Sequence, residues 1–184
     1  MDKDTKSPPM KSSGETSKEE LQLAKSQGEA YTSALKKMST EVAESGGEKR
    51  AGEYIIAYAV EKAEGLYHQK DGKLEWEEPK GKNAHFEIAV RDSSDHRFIP
   101  GLDVRLTVLD SEGNEIGQHK MPFLWHPWLY HYGRNWKLPG DGKYTLKVHI
   151  DVPKFSRHDK KNGRRYAEPV EVEFKNVQVK TGKG

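Results

Sequence analysis

Hydrophobic and polar residues alternate one by one in three segments of the second half of the chain. In residues 102–108 every second residue is apolar, and the same pattern recurs in residues 144–150 and 170–174. The side chains of a β-strand point alternately to its two faces, so this alternation predicts strands that bury one face. Residues 54–60 are rich in β-forming residues, and residues 73–77 follow a Lys-Asp-Gly turn. Six to eight short strands separated by turns predict an all-β, antiparallel sandwich.

A different period precedes the strands. Apolar residues recur about every 3.6 positions after Ser17 and Glu20, which stand at capping-box spacing. The pattern predicts an amphipathic helix that is ended by Gly46 and Gly47. A single helix of this kind is marginally stable alone, so we expect it to dock on the following domain or on a partner. A spacer with no docked face is the alternative. The periodic residues are Ala30, Tyr31, Ala34, Leu35, Met38 and Val42.

Composition divides the chain into three parts. The first sixteen residues are rich in Pro, Gly, Ser, Thr and charged residues, which predicts a disordered, flexible tail over residues 1–16. A helix and linker are predicted over residues 17–50. The composition changes near Arg50, and residues 51–184 are predicted to form one β-sandwich domain. About 130 residues are enough to bury a core of this type.

Charge and composition exclude several classes of protein. The 184 residues include 31 Lys and Arg against 29 Asp and Glu, a formal net charge of +2, which disfavours a nucleic-acid partner. The absence of Cys excludes disulfides, iron–sulfur clusters, cysteine-based zinc sites and thiol nucleophiles. The sequence contains no run of about 18 apolar residues, so no membrane-spanning helix is predicted. No basic and apolar leader opens the sequence, so we expect either a cytosolic protein or a sequence that lacks its leader.

One predicted strand carries a candidate metal site. In residues 83–90, Phe86 and its alternate neighbours face the core, so His85 and Glu87 project together from the other face. An imidazole and a carboxylate two residues apart on a strand can converge on one cation. From this pair alone, a solvated polar face is the commoner explanation.

The segment of residues 121–136 is unusually aromatic. It holds three of the four tryptophans and two histidines, His126 and His131. One explanation is a satellite core beneath a long connection. Another is a platform of exposed rings at residues 125–136 that binds a glycan or a protein partner, and a third is a metal site.

A basic loop at residues 155–165 places His158 beside Asp159. Taken alone, this loop is typical of solvated surface. The sequence contains no Gly-x-Ser-x-Gly elbow, phosphate-binding loop, His-Glu-x-x-His helix or dinucleotide fingerprint, so no common catalytic class is indicated.

Four short motifs in register resemble the periplasmic iron-transport-associated family of bacterial copper-binding proteins. Residues 84–87 (AHFE) are similar to the family's His-x-Glu strand, residues 131–135 (HYGRN) to its His-Tyr-Gly-x-Asn segment, and residues 157–163 to its Arg-His-x-Asp loop. Residues 142–144 (GKY) match its Gly-x-Tyr strand. The resemblance covers residues 53–177 and implies an immunoglobulin-like sandwich, commonly a homodimer. It also implies a Cu(II) site that serves iron uptake beside a membrane permease, outside the cytoplasmic membrane.

The resemblance implies a set of metal ligands. Carried over by position, they are His85, Glu87, His131 and His158. The family also uses a methionine from a Met-Pro-Met motif, but this chain has Met121 followed by Pro and Phe. Either Met121 turns towards the metal, or His126 replaces the thioether, or the site has lost that ligand. A site of imidazoles and a carboxylate favours Cu(II), with iron or zinc also possible.

The leading hypothesis is an extracytoplasmic metal-binding protein that takes up or hands over copper or iron, and that is not an enzyme. One alternative is a binding module that uses the aromatic segment and no metal. The other is a metal-dependent redox enzyme. Because a metal ligand must be unprotonated, we expect metal binding to weaken below a pH of roughly 6, near the ordinary pKa of histidine.

Overall fold

The structure is a computed structural model that describes residues 8–184. These residues form one α-helix, a π-helical turn and eleven β-strands. The helix α1 spans Lys18–Lys37, and the π-helical turn spans Met38–Val42. The strands are β1 Ser45–Ala51, β2 Tyr54–Glu61, β3 Leu66–Lys70, β4 Lys73–Glu77, β5 Ala84–Asp92, β6 Val104–Leu109, β7 Glu115–Met121, β8 Phe123–Leu124, β9 His131–Trp136, β10 Gly142–Ile150 and β11 Val170–Val179.

Two antiparallel sheets contain nine of these strands. One has the strand order β1-β2-β5-β9-β8, and the other has the order β11-β10-β6-β7. Their inner faces meet in a single core, to which β5 contributes Phe86 and Ile88 and β6 contributes Leu106. The predicted antiparallel β-sandwich with an N-terminal helix is therefore confirmed.

Strand β5 is buried on both faces, unlike the other strands that the structure describes. Its inner face lies in the sandwich core. Its outer face is covered in part by α1, because Leu35 and Met38 of the helical segment pack against Ala57, Ala89 and Leu129 in a second apolar cluster. The small side chains of the two alanines let the helix approach the sheet. Polar groups on this outer face are thereby removed from water.

The predicted helix is present and docks on the sandwich. Its N-terminus has the capping box that the sequence predicts, with Glu20 N–H donating to Ser17 Oγ and Ser17 N–H donating to the Glu20 carboxylate. The predicted end of the helix and the predicted boundary at residues 50/51 differ from the structure. The helical segment ends at Val42, and the glycine pair lies inside β1, which pairs with β2 along its whole length.

The described part of the predicted disordered tail lies against the body of the protein. Residues 1–7 are outside the described residues. Lys11 N–H donates to Asn162 Oδ1 at 2.9 Å, Ser13 Oγ donates to Asp159 Oδ2 at 2.7 Å, and Arg165 donates to the Pro8 carbonyl at 3.1 Å. These bonds hold residues 8–13 on the basic loop that contains His158.

Strands β3 and β4 form a separate hairpin. Within the described chain they pair with each other and join neither large sheet. Most of the hairpin is exposed, including the rings of Tyr67 and Trp76, which pack edge to face with their centroids 5.0 Å apart. Lys70, beside the turn, and Glu77, at the other end of the hairpin, form an ion pair at 2.7 Å.

No helix among the described residues is long and apolar enough to cross a bilayer.

Candidate metal centre

The site is built on the outer face of β5, where His85 and Glu87 project from the strand. Both side chains are almost completely buried, with exposed fractions of 1% and 4%. The antiparallel neighbour β9 places Asn135 opposite His85 and Gly133 opposite Glu87. The missing side chain at Gly133 leaves room for the two histidines, because a Cβ there would lie 3.0 Å from His85 Nε2 and 3.1 Å from His131 Cδ2.

His131 begins β9 and completes a group of three metal-ligating side chains. One ligand atom each from His85, Glu87 and His131 lies within 4.8 Å of the others. His131 Nε2 is 3.1 Å from Glu87 Oε1, and the His85 and His131 rings meet edge to face with centroids 6.2 Å apart. The solvated-face explanation of His85 and Glu87 is therefore wrong, since both are buried and a second histidine faces them.

A backbone carbonyl fixes the tautomer of His131. Its Nδ1 lies 2.9 Å from the carbonyl oxygen of Leu129. A carbonyl oxygen can only accept a hydrogen bond, so Nδ1 carries the proton of the neutral ring and Nε2 presents a lone pair. The lone pair points at Glu87, the side on which a metal ion would sit.

A side-chain amide does the same for His85. Its Nδ1 lies 2.9 Å from Asn135 Oδ1. The orientation of that amide is set by the backbone of Glu64, whose N–H donates to Oδ1 at 3.1 Å while Asn135 Nδ2 donates to the Glu64 carbonyl at 2.7 Å. His85 therefore also presents Nε2 as its metal-binding atom. Partners of this kind orient the ring and raise its affinity for metal.

Burial shifts the protonation of the group in a consistent direction. Burial, with smaller contributions from the carboxylates of Glu61 and Glu64, raises the pKa of Glu87 to about 8. Burial lowers the pKa of His131 to about 4 and also lowers the pKa of His85. At neutral pH these shifts favour two neutral imidazoles and a protonated Glu87 carboxyl, whose Oε1 lies 3.1 Å from His131 Nε2.

These donors fit a divalent transition metal. Two imidazole nitrogens and one carboxylate oxygen provide three protein ligands, with further coordination positions open to another side chain, water or a second molecule. The donors are borderline to hard, so Cu(II), zinc and iron are all compatible with them.

Two further side chains border the group. The His126 ring centroid is 5.9 Å from that of His131, so this predicted additional ligand lies beside the cluster. Glu61 was not recognised from the sequence. It lies directly opposite His85 in the β2–β5 ladder, and its Oε1 is a buried oxygen with no hydrogen-bond partner among the described residues. Burial, reinforced by the carboxyl of Glu64, raises the pKa of Glu61.

Met121 does not turn towards the metal group in this structure. It ends β7 opposite Val104 and is completely buried in the core between the two sheets. His85 and Glu87 project from the opposite face of β5. The pairing of β7 with β6 explains the difference, because it sets the apolar thioether opposite the core residue Val104.

His158 is also outside the group that the described residues form. It is exposed and lines a cleft with Met10, Glu15 and Arg157, beside the N-terminal segment. The structure therefore does not place His158 beside the other three predicted ligands of the same chain. Its loop is tied instead to residues 8–13 through Asp159 and Asn162.

The aromatic segment has two environments. Trp136 is buried in the main sandwich core, and Leu129 is buried in the separate, smaller cluster under α1. Trp125, Trp128 and Tyr130 are exposed, Trp125 by 71%. The ring of Trp128 packs edge to face on His126, with the two centroids 5.4 Å apart.

The chain has sequence relatives in Brucella. UPF0423 proteins of Brucella abortus and Brucella suis are 33% identical to the chain in an alignment of 121 residues that covers 56% of this chain. The match spans 65% of the length of those relatives, slightly under two thirds.

Solved structures share the fold. FetP of uropathogenic Escherichia coli strain F11 superposes with a TM-score of 0.61 at 20% identity, covering 73% of this chain and 93% of FetP. Copper-reconstituted P19 of Campylobacter jejuni superposes with a TM-score of 0.58 at 17% identity, covering 74% of this chain and 92% of P19. The sequence model of the family described as Fe2+ transport protein matches residues 43–180. The chain therefore belongs to the Fe2+ transport protein family.

Proposed function

We propose that this protein binds a divalent transition metal, preferentially Cu(II), at His85, Glu87 and His131. We also propose that it acts in metal uptake or handover. The observation that carries the proposal is the convergence of three ligand atoms within 4.8 Å in a buried site. Both imidazoles already present Nε2, so binding needs no change of tautomer. Membership of the Fe2+ transport protein family and the copper in P19 support the same function.

The choice of copper rests on ligand chemistry. Among the common divalent ions, sites with nitrogen and oxygen donors bind Cu(II) most tightly by the Irving–Williams order. With Met121 in the core, the sulfur donor that would favour Cu(I) is not at the site. His126 is placed to add a third imidazole, which keeps the site suited to Cu(II), with zinc and iron as competitors.

We further propose that the protein works outside the cytoplasmic membrane, as a homodimer, and passes its metal to a membrane permease. FetP was expressed in the periplasm for its structure, and the family description names iron transport. Light scattering over a range of protein concentrations tests the dimer.

Calorimetric titration of the metal-free protein with Cu(II) tests the proposal. We expect saturable binding that is lost in the His85→Ala/His131→Ala double variant and retained in the control His68→Ala, whose side chain is exposed on the hairpin. Zinc and Fe(II) titrations should give weaker binding at the same site. Binding that is equal in the wild type and the double variant would refute the proposed site.

His158 is assigned to the dimer within this proposal. It is exposed, so in a homodimer it is available to the metal group of the partner. His158→Ala should then weaken copper binding only above the protein concentration at which light scattering detects the dimer. Loss of affinity in the monomer range would contradict this assignment.

A second candidate function uses the exposed aromatic rings. Trp125 and Tyr130 are exposed beside the metal group, and exposed aromatic side chains are enriched at interaction sites. A partner or glycan bound by this surface should be retained after chelation and lost in Trp125→Ala. Retention in Trp125→Ala would exclude the candidate.

A further inference from the structure

We propose that α1 positions His131, so that docking of this helix sets how tightly the metal is held and how fast it is released. The inference rests on the proposed metal-binding function. Helix α1 lies before residues 43–180, the part of the chain that the family model matches. Its side chains touch residues 129 and 130, which precede His131, and are positioning residues, not ligands.

The path from the helix to the metal group is short. Tyr31 Oη donates a hydrogen bond to the carbonyl of Tyr130. Leu35, together with Met38 of the π-helical turn that follows α1, belongs to one buried apolar cluster with Leu129, which is 1% exposed. The carbonyl of Leu129 then accepts the Nδ1 proton of His131. The helix therefore holds both residues that precede His131, including the acceptor that fixes its tautomer.

The helix packs closely on the backbone of residues 95–96 at Gly28. A Cβ at this position would lie 1.7 Å from the carbonyl oxygen of Asp95 and 2.7 Å from the carbonyl carbon of His96, so no larger residue fits while the helix stays docked. Arg91 adds a second attachment, since its buried guanidinium donates to Thr32 Oγ1 at 2.9 Å and pairs with Glu48.

These contacts give α1 a direct consequence at the metal. If the helix moves away, the loop at residues 129–130 loses its apolar support and its hydrogen bond from Tyr31. The Leu129 carbonyl is then no longer fixed, and His131 is free to place its proton on either nitrogen. Partners that orient a metal-binding histidine typically contribute 10- to 100-fold in affinity, so we expect an effect in that range.

The full-length variant Gly28→Ala tests the inference, with Gly14→Ala as its matched control. A Cβ added at Gly14 would meet no atom within 4 Å, so alanine is accommodated there. Alanine also has the higher helix propensity, so any loss in Gly28→Ala comes from the clash and not from a weaker helix. Copper release to a chelator should be at least about tenfold faster in Gly28→Ala and unchanged in Gly14→Ala.

Tyr31→Phe provides a milder variant that removes only the hydrogen bond to Tyr130. Long-range proton–nitrogen NMR on the metal-free protein reports the tautomer of His131 directly. We expect almost pure Nδ1-protonated ring in the wild type and a mixture in both Gly28→Ala and Tyr31→Phe. The copper spectrum by electron paramagnetic resonance should change in the same two variants.

The outcomes separate the two proposals. A wild type that binds no copper refutes the proposed function, while the NMR tautomer still supports or overturns the role of α1. If circular dichroism shows both variants folded and their His131 tautomer matches the wild type, the inference is overturned. Unchanged release in Gly28→Ala, with hydrogen exchange showing α1 loosened, overturns it as well.

Discussion

Glu87 Oε1 and His131 Nε2 lie 3.1 Å apart, a distance at which one proton can lie between them. The proton belongs to the carboxyl, because the Leu129 carbonyl already holds the proton of the neutral ring on Nδ1. A metal ion at this position replaces that proton. The metal-free site is therefore neutral, and the charge of the cation is partly balanced only after Glu87 ionises.

Metal binding should release close to one proton at pH 7. The pKa of Glu87 is raised to about 8, so most of the metal-free protein is protonated there, and the metal requires the carboxylate. Calorimetry of Cu(II) binding in buffers with different ionisation enthalpies measures this proton. Release should fall towards zero above a pH of about 9, and a heat independent of the buffer at pH 7 would contradict the assignment.

The same values change the expected pH dependence of affinity. The sequence suggests weakening below a pH of roughly 6, as histidines protonate. Burial lowers the pKa of His131 to about 4, so protons compete with the metal for this imidazole only at a lower pH than the sequence suggests. Affinity should instead begin to fall as the pH drops below about 8, where Glu87 takes up its proton.

Glu87→Gln should stabilise the metal-free protein while weakening metal binding. The folded-state pKa of Glu87 is above its unfolded value, so the folded protein binds the proton more strongly, and stability falls as the pH rises from about 4.5 to about 8. Gln removes that cost. We expect a Tm higher by about 5 °C at pH 9 and nearly equal at pH 4.5, measured by scanning calorimetry. A lower Tm at pH 9 would show that the carboxyl is not penalised by burial.

Asn135 should matter for metal affinity without being a ligand. Asn135→Ala removes the acceptor that fixes His85 and also the two bonds to the Glu64 backbone. We expect Cu(II) affinity to fall by about 10- to 100-fold in a competition titration. Asn114→Ala, in an exposed turn, is the control and should retain full affinity. Equal affinities in the two variants would remove Asn135 from the site.

The buried ion pair between Arg165 and Asp92 should be critical for folding. Arg165 Nε donates to Asp92 Oδ2 at 2.9 Å, and the Tyr166 hydroxyl donates to the same oxygen. Burial alone would raise the pKa of Asp92, but these donors lower it below its ordinary value, so the carboxylate stays charged. Arg165→Met leaves that charge without its partner.

We expect Arg165→Met to cost about 3–5 kcal/mol of unfolding free energy in urea. The exposed neighbour gives the control, since Arg164→Met should change stability by less than about 0.5 kcal/mol. A small effect in both variants would mean that Tyr166 and the backbone donors compensate the Asp92 charge unaided.

Alternation along the chain predicted the strands and the shared face of His85 and Glu87. It did so because successive side chains of a strand point to opposite faces, so residues two positions apart share a face. Alternation did not predict the burial of Met121, which is the one fully buried residue of β7. The buried position of Met121 is the result of local pairing with β6.

Other parts of the site depend on contacts that are distant in sequence. Glu61 reaches His85 only through the register of β2 against β5, which the residues themselves do not encode locally. The glycine pair at the start of β1 has the appearance of a stop signal. In the structure Gly47 instead makes room for the ring of Tyr58 across the ladder, since a Cβ there would lie 2.9 Å from that ring.

The hairpin of β3 and β4 has a mechanical consequence of its own. A two-stranded ribbon with little buried surface is marginally stable, so it can open while the sandwich stays intact. Its aromatic residues Tyr67 and Trp76 are sites for chymotrypsin. A brief digestion should nick the chain at this ribbon first, and the two fragments should remain associated and still hold copper, since the strands that carry His85, Glu87 and His131 lie beyond the cut.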